Sequence, residues 1–311
     1  MNKELKILSV NISKEKGTIK VPVNSVEITA TGITEDAHSG DWHRQISILS
    51  AESIAEFAQK SNREYMPGEF AENITVSGMK MNQCHPGDTL ECGEITLMVT
   101  QIGKKCHGGG CAIFRETGAC VMPKEGIFAK VIKGGILEKG NTLVYKPKIL
   151  KIGLITLSTR AFNGVYPDKS GPAIAVAIEK YKVENNRFAQ VDYHLLPDNR
   201  EMLESLIKEL TQNGCDIIIT TGGTGVGPQD FTPEVVKPLL SFEIPGIMEH
   251  IRVKYGQEMP GALLSRGVAG LTGNTLIFTL PGSVNAVNEY MNEILPLLNH
   301  ILYMRLGLDI H

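Results

Sequence analysis

The 311-residue sequence carries almost no excess of charge: 31 Lys and Arg stand against 34 Asp and Glu, a formal net charge of −3. Nothing in that balance draws the chain to nucleic acid or to an anionic membrane surface. No apolar run approaches the length of a membrane span. The opening residues MNKELKILSV lack the pattern of a signal peptide, so a cytoplasmic protein is expected. Two familiar nucleotide signatures are missing as well. In the glycine-rich stretch TTGGTGVGPQDFTPE (residues 220–234), Pro228 and Gln229 follow Gly227 where a P-loop needs Lys and then Ser or Thr. Its glycines also fall outside G-x-G-x-x-G register, which excludes the dinucleotide fingerprint. No Ser–His–Asp order stands out, and Cys215 opens a strand, so the second half of the chain offers no obvious nucleophile.

What is present divides the chain into two halves with different patterns. Residues 1–146 hold short strand-like runs, among them ILSVNI, SVEIT, QISILS, NITVSG, EITLMVTQI and FAKVI, separated by turn signals. One helix is predicted at AESIAEFAQK, where Ile54, Phe57 and Ala58 share a face behind Ser50 as N-cap. A mostly-β barrel or folded-over sheet is expected there. After Lys146-Pro147-Lys148 the pattern becomes alternating strand and helix, so residues 147–311 read as an α/β domain with a mostly parallel sheet covered on both faces. Thr232-Pro233-Glu234 is the expected N-cap, N1 proline and acidic first turn of one helix, and the last helix is expected to be interrupted at Pro296.

The unusual residues of this second half fall where its strands end. Ser158-Thr159-Arg160 follows the first strand and Pro197-Asp198 the second. Gly222-Gly223-Thr224-Gly225 follows the third, and Pro281-Gly282-Ser283 follows a late one. Open α/β sheets bind ligands at the carboxyl ends of their strands, so four loops are expected to converge on one crevice. Bare glycine backbone leading into a helix N-terminus suits phosphate. Asp198 and Asp230 beside such a surface would repel phosphate unless a divalent cation intervened, and Mg²⁺ binds through one or two carboxylates plus substrate phosphates. Lys169, Arg252 and Arg266 are candidates for a positive clamp on developing charge. Each residue also has a plainer reading. Asp198 precedes Asn199-Arg200-Glu201 as a helix N-cap would, Asp230 can cap a turn, Ser283 can cap a helix, and Arg266 can be a solvated surface arginine.

The runs LSTRAFNGVYPDKSGPAI, LLPDNREML, TTGGTGVGPQDFTPEVV, IPGIMEHIR, LSRGVAG and LPGSVNAVNEYM, in that order over residues 150–311, resemble the molybdopterin adenylyltransferase family (the MogA/MoaB type). The resemblance implies a molybdopterin-binding fold that adenylylates molybdopterin with Mg²⁺-ATP and releases pyrophosphate. It assigns functional roles to Asp198 and Asp230, which would also hold the metal, and a phosphate-binding loop to Gly222, Gly223, Thr224 and Gly225. Ser158, Ser265, Pro281, Gly282 and Ser283 would line the pterin and nucleotide pocket. Many members carry an acid where this chain has Thr159, which implies weaker ATP binding or use of Asp168 instead. A trimer, and other proteins of molybdenum-cofactor biosynthesis as partners, are further implications.

The first half resembles the MOSC domain through EDAHSGDWHRQISIL, PGEFAENITVSG, HPGDTLECGEITLMVTQIGKKC and GIFAKVIKGG. That resemblance implies a β-barrel that binds the pterin cofactor or carries sulfur towards it through Cys106. Five of the six cysteines crowd into residues 84–120, which favours thiol or metal chemistry over a disulfide framework. Lys104, Lys105 and His107 beside Cys106 favour its thiolate. His38 and His43 are candidates for the same pocket. The competing readings are a zinc site of Cys106, His107, Cys111 and Cys120, though C-x₄-C-x₈-C is no standard zinc spacing, and inert buried thiols. Linking two halves that point to one cofactor raises the effective concentration of an intermediate passed between them. The rival expectation is a non-catalytic molybdopterin carrier that has lost ATP turnover. A third reading makes the second half a metal-insertion module.

Overall fold

The computed structural model describes residues 2–104 and 120–308. They form two compact units, one of residues up to Lys148 together with those from Leu306, the other Ile149–Arg305. Among the described residues no helix is long and apolar enough to cross a membrane.

The first unit contains β1 (Lys3–Ile12), β2 (Val21–Val23), β3 (Ser25–Thr29), β4 (Gly32–Ile33), β5 (Ile46–Ser50), α1 (Ala51–Ser61), β6 (Ile74–Ser77), β7 (Thr89–Cys92), β8 (Ile95–Ile102), α2 (Met122–Glu125), β9 (Ile127–Lys133), β10 (Gly135–Glu138) and β11 (Thr142–Lys146). The larger sheet runs β11-β7-β8-β9-β5-β6-β1-β2, and an added β1–β11 pairing closes it into the expected barrel. Closure removes the unpaired edges that an open sheet of this size would carry. Strand β1 shows how pattern becomes packing. Leu5 and Ile7 alternate inward, and a register shift against β6 between Ile7 and Ser9 puts Leu8 on the outside and Val10 back in the core. Strands β2, β4, β7, β10 and β11, outside the runs named from the sequence, are short and borrow their stability from their neighbours in the sheet.

Helix α1 starts where its sequence predicts. The Ser50 hydroxyl accepts the Ser53 N–H at 3.2 Å, and Ile54 and Phe57 pack on the cluster of Leu49, Phe70 and Phe128. Ser50→Ala is expected to cost about 1 kcal/mol, the usual loss for an N-cap, read as a lower urea midpoint at unchanged slope. An unchanged midpoint would show that packing alone sets this helix end.

The second unit contains β12 (Ile149–Leu157), α3 (Thr159–Phe162), α4 (Ser170–Glu184), β13 (Phe188–Leu196), α5 (Arg200–Gln212), β14 (Ile217–Thr221), α6 (Thr232–Val236), β15 (Phe242–Glu243), α7 (Pro245–Gly256), β16 (Ala269–Thr272), β17 (Thr275–Leu280) and α8 (Val284–Arg305). Its sheet has the order β13-β12-β14-β17-β16-β15. The first four strands are parallel, β16 runs antiparallel to β17, and β15 runs antiparallel to β16, so the sheet is mixed. The cause is local: only Gly273-Asn274 joins β16 to β17, and a two-residue connection can only reverse the chain. Both faces are covered. Ile217 and Ile219 of β14 face α4, α7 and α8, while Ile218 faces α5 and α6.

Two expectations need correction. The last helix is not interrupted, because α8 runs through Pro296 and keeps Leu298 and Leu302 in the same core as Ile294. Packing on both sides of the proline outweighs the missing hydrogen bond. Thr232 is not an N-cap either. Phe231 holds that position, and the buried Thr232 hydroxyl donates to the Gly222 carbonyl at 2.8 Å.

Candidate functional site

The four loops named from the sequence do converge. Ser158, Asp198, Gly222–Gly225 and Pro281–Ser283 line one cavity of about 1210 Å³ at the carboxyl ends of β12, β13, β14 and β17. Thr159, Asp168, Lys169, Asp230 and Ser265 line it as well, so every candidate of the second half except Arg252 and Arg266 opens onto the same space. Arg160, named in the sequence only as part of the first strand end, lines it too, as do Tyr166, Asn285, Glu289 and Tyr290, which sequence reasoning had not singled out. The signal for Tyr166 was available in its place between the first strand and Asp168. Asn285, Glu289 and Tyr290 carry no local signal beyond belonging to a helix that starts at the crevice.

The glycine loop is built from close approaches. Gly222 has φ +103° and its N–H donates to Leu280 O at 3.0 Å; a Cβ there would stand 2.4 Å from Leu157 O. Gly223 has φ +67° and lies against the Thr232 hydroxyl. Such conformations and approaches admit glycine and little else. A Cβ at Gly225 or Gly227 would meet the Asp230 carboxylate at 2.8 and 2.9 Å, so the loop folds around that acid. The Gly227 N–H donates to Asp230 Oδ2 at 2.8 Å, which fits the turn-capping reading while leaving Oδ1 for other partners.

Arg266 is neither an anion clamp nor a solvated side chain. Its Nε donates to Gly225 O and one terminal nitrogen to Asp230 O, each at 2.7 Å, and the other terminal nitrogen pairs with Glu234. It therefore ties the loop together. Arg252 donates to the carbonyls of Ser265 and Gly267, at 3.4 and 3.2 Å, and holds the next loop in place. Of the three proposed cations only Lys169 faces the cavity, where Arg160 joins it with its guanidinium 5.3 Å from the Tyr166 ring centre.

Asp198 is not the cap of α5. Asn199 takes that position, accepting the Met202 N–H at 2.8 Å. Asp198 Oδ2 instead accepts the Thr159 N–H at 2.9 Å and the Thr159 hydroxyl at 2.8 Å. Asp168, which also lines the cavity, is engaged through both oxygens. One oxygen takes the Ser170 N–H and hydroxyl, the other the Gly171 N–H and the Thr156 and Tyr193 hydroxyls, all within 3.0 Å. Partial burial works against its charge, but those hydrogen bonds outweigh it and hold the carboxyl below its usual range. Burial, and then the bond to Asp168, push the Tyr193 hydroxyl up to about 12, so it stays a donor at neutral pH. Ser158 caps α3 through the Ala161 N–H, and Ser283 accepts the Ala286 N–H at the start of α8, so the plainer reading holds for Ser283.

Among the described residues no group of three or more His, Cys, Asp or Glu gathers to hold a metal by itself. Two carboxylates with spare oxygens on one cavity nevertheless fit Mg²⁺, which completes its shell with water and phosphate oxygens.

In the first unit, Cys106, His107 and Cys111 lie outside the described residues, and with them the sulfur-carrier and zinc readings. Cys120 packs against the cluster around Leu49 and Phe70. His38 and His43 have local partners: His38 Nδ1 lies 3.3 Å from Lys20 Nζ, and His43 Nε2 lies 3.1 Å from Gln101 Oε1. Lys20 and Asp36 form a fully buried ion pair at 2.5 Å. Beside them Glu72 is buried, which pushes its carboxyl up, and it takes the Gly68 N–H and Thr75 hydroxyl on one oxygen.

A family model described as "Probable molybdopterin binding domain" matches residues 153–300, and one described as "MOSC domain" matches residues 35–144. The chain is 35% identical over 159 residues to a molybdopterin adenylyltransferase of Helicobacter pylori (strain J99), a match over 51% of this chain and 89% of that protein. It is 36% identical over 160 residues to molybdenum cofactor biosynthesis protein B of Staphylococcus aureus (strain MRSA252), over 50% of this chain and 92% of that protein. The crystal structure of the molybdopterin biosynthesis enzyme MoaB from Thermus thermophilus aligns at 36% identity with a TM-score of 0.46, over 51% of this chain and 98% of that one.

Proposed function

The chain belongs to the molybdopterin adenylyltransferase family through its second half, and from that premise we propose that it adenylylates molybdopterin in molybdenum or tungsten cofactor biosynthesis. In this reading the terminal phosphate of molybdopterin attacks the α-phosphate of ATP. A new phosphoanhydride bond forms, the α–β bond breaks, and pyrophosphate leaves with the electron pair. Both reactants are phosphates, so positioning and charge neutralisation suffice without a protein nucleophile. The backbone of Gly223 to Gly225 cradles phosphate, and Lys169 and Arg160 offset its negative charge. Asp198 and Asp230 would hold Mg²⁺, which would supply neutralisation of the phosphate charge. Ser158, Ser265, Pro281, Gly282 and Ser283 form the walls against which the pterin and nucleotide lie.

The observation that carries this reading is the single cavity onto which four strand ends bring a glycine loop and two separate acids. We place the adenylyltransferase-like domain at residues 147–311 and a MOSC-like barrel at 1–146. The barrel binds the cofactor or carries sulfur through Cys106. A cytoplasmic homotrimer working beside other enzymes of the pathway fits the family. Full-length protein mixed with molybdopterin, ATP and Mg²⁺ is expected to yield adenylylated molybdopterin and pyrophosphate, detected by mass spectrometry. Binding of molybdopterin with no such product would defeat the reaction and leave a carrier.

A further inference from the structure

Resting on the reading of Asp198 as a metal ligand, we infer that Thr159 is a positioning residue that leaves Asp198 only one oxygen for the cation and so sets which cation the site takes. Strands β12 and β13 are parallel neighbours with Leu157 opposite Leu196, so the residues just past their ends emerge side by side. Three hydrogen bonds then join them. The Thr159 N–H donates to Asp198 Oδ2 at 2.9 Å, and the Thr159 hydroxyl donates to the same oxygen at 2.8 Å. The Asp198 N–H donates back to the Thr159 hydroxyl oxygen at 2.9 Å, which fixes the direction of the hydroxyl proton.

A carboxylate oxygen that accepts strong hydrogen bonds gives up electron density and open approach that a cation would otherwise use. Oδ2 of Asp198 accepts two hydrogen bonds from Thr159, while Oδ1 accepts none from the described residues. Because Asn199 does the capping of α5, nothing pulls the Asp198 carboxylate towards that helix. Asp198 is therefore a one-oxygen ligand on the cavity wall. Mg²⁺ and Mn²⁺ accept this, since a small octahedral ion takes single oxygens from one or two carboxylates, from water and from phosphate. Ca²⁺ takes six to eight oxygens and often both from one carboxylate, an option Thr159 closes. The hydroxyl is also neutral, so it orients Asp198 without adding charge beside the phosphates.

The test uses the full chain with Mn²⁺ and ATP, without molybdopterin, and reads bound Mn²⁺ by electron paramagnetic resonance. Mg²⁺ and Ca²⁺ are then titrated in as displacing ions. Thr159→Val keeps the backbone N–H and the branched shape but removes the hydroxyl, and with it the shorter of the two hydrogen bonds on Oδ2. The wild-type preference for Mg²⁺ over Ca²⁺ is expected to narrow by about tenfold, the lower end of what ligand-orienting partners contribute to metal sites. Thr159→Ser is expected to restore it. Thr159 is exposed, and Thr159→Ala gives a second hydroxyl-free variant with the smallest side chain. An unchanged Mg²⁺-to-Ca²⁺ ratio in both hydroxyl-free variants overturns the inference, whatever happens to overall affinity. Wild-type protein that takes up no Mn²⁺ with ATP overturns it as well. Uptake of Mn²⁺ and ATP with the expected shift in ratio, but no adenylylated product, supports it and defeats only the reaction proposed above.

Discussion

Asp230→Ala is expected to lower adenylyl transfer on the order of 10²- to 10³-fold, the loss seen when one group that stabilises charge in a transition state is removed. The size follows from what the carboxylate does in two directions. It anchors the glycine loop by accepting the Gly227 N–H at 2.8 Å, and in the proposed reaction its other oxygen faces the cation. Alanine removes both. Asp230→Asn separates them, because the amide oxygen still accepts from Gly227 while the charge is gone. Near-wild-type melting of the asparagine variant with activity as low as the alanine variant would place the effect in the charge. Near-wild-type product formation by the asparagine variant would make Asp230 a loop anchor and remove it from the chemistry. Product is counted by mass spectrometry at saturating and at limiting ATP, which separates loss of binding from loss of turnover.

The second large effect is on stability. Gly222→Ala is expected to lower the thermal transition of the second unit and abolish ATP binding. The backbone at φ +103° alone costs on the order of 1–3 kcal/mol for a residue with a Cβ. The added methyl would also stand 2.4 Å from the Leu157 carbonyl oxygen, a backbone atom at the end of β12 that cannot swing away as a side chain can. Relief requires parting the loop from the strand end, the surface on which the phosphates are proposed to lie. Gly246→Ala is the control: a Cβ there meets nothing within 4 Å, and the residue lies within α7, so no loss is expected. Calorimetry of both variants, with and without ATP, decides the matter. Equal melting of the Gly222 and Gly246 variants would mean that the loop relaxes freely and is not tightly nested on β12.

Much of the architecture was legible in the sequence because it rests on short-range pattern. β-Branched runs such as Ile217–Thr221 read as buried strands. Ser50 before an amphipathic run predicted its helix, and the glycines of residues 222–227 announced backbone that no other residue tolerates. The convergence of four loops followed from one rule about the carboxyl ends of parallel strands. The errors share a cause. Pro296 looked like an interruption because the core that holds α8 on both sides of it comes from other segments. The reversed strand β16 was not foreseen because β16 and β15 are short and carry little pattern of their own.

What the sequence determined by itself was therefore the pair of fold classes, the strand ends and the two acids at the crevice, all set by residues within a few positions of one another. Which side chains were already occupied was decided only by the tertiary structure. Asp168 is taken up by Thr156, Ser170, Gly171 and Tyr193, and Arg266 by the carbonyls of Gly225 and Asp230. Asp198 keeps one oxygen clear because Asn199 caps the helix and Thr159, 39 residues away, takes the other. A hydrogen-bonding group has a fixed number of lone pairs and protons, and its partners are drawn from whatever the folded chain brings within about 3 Å, regardless of separation along the sequence.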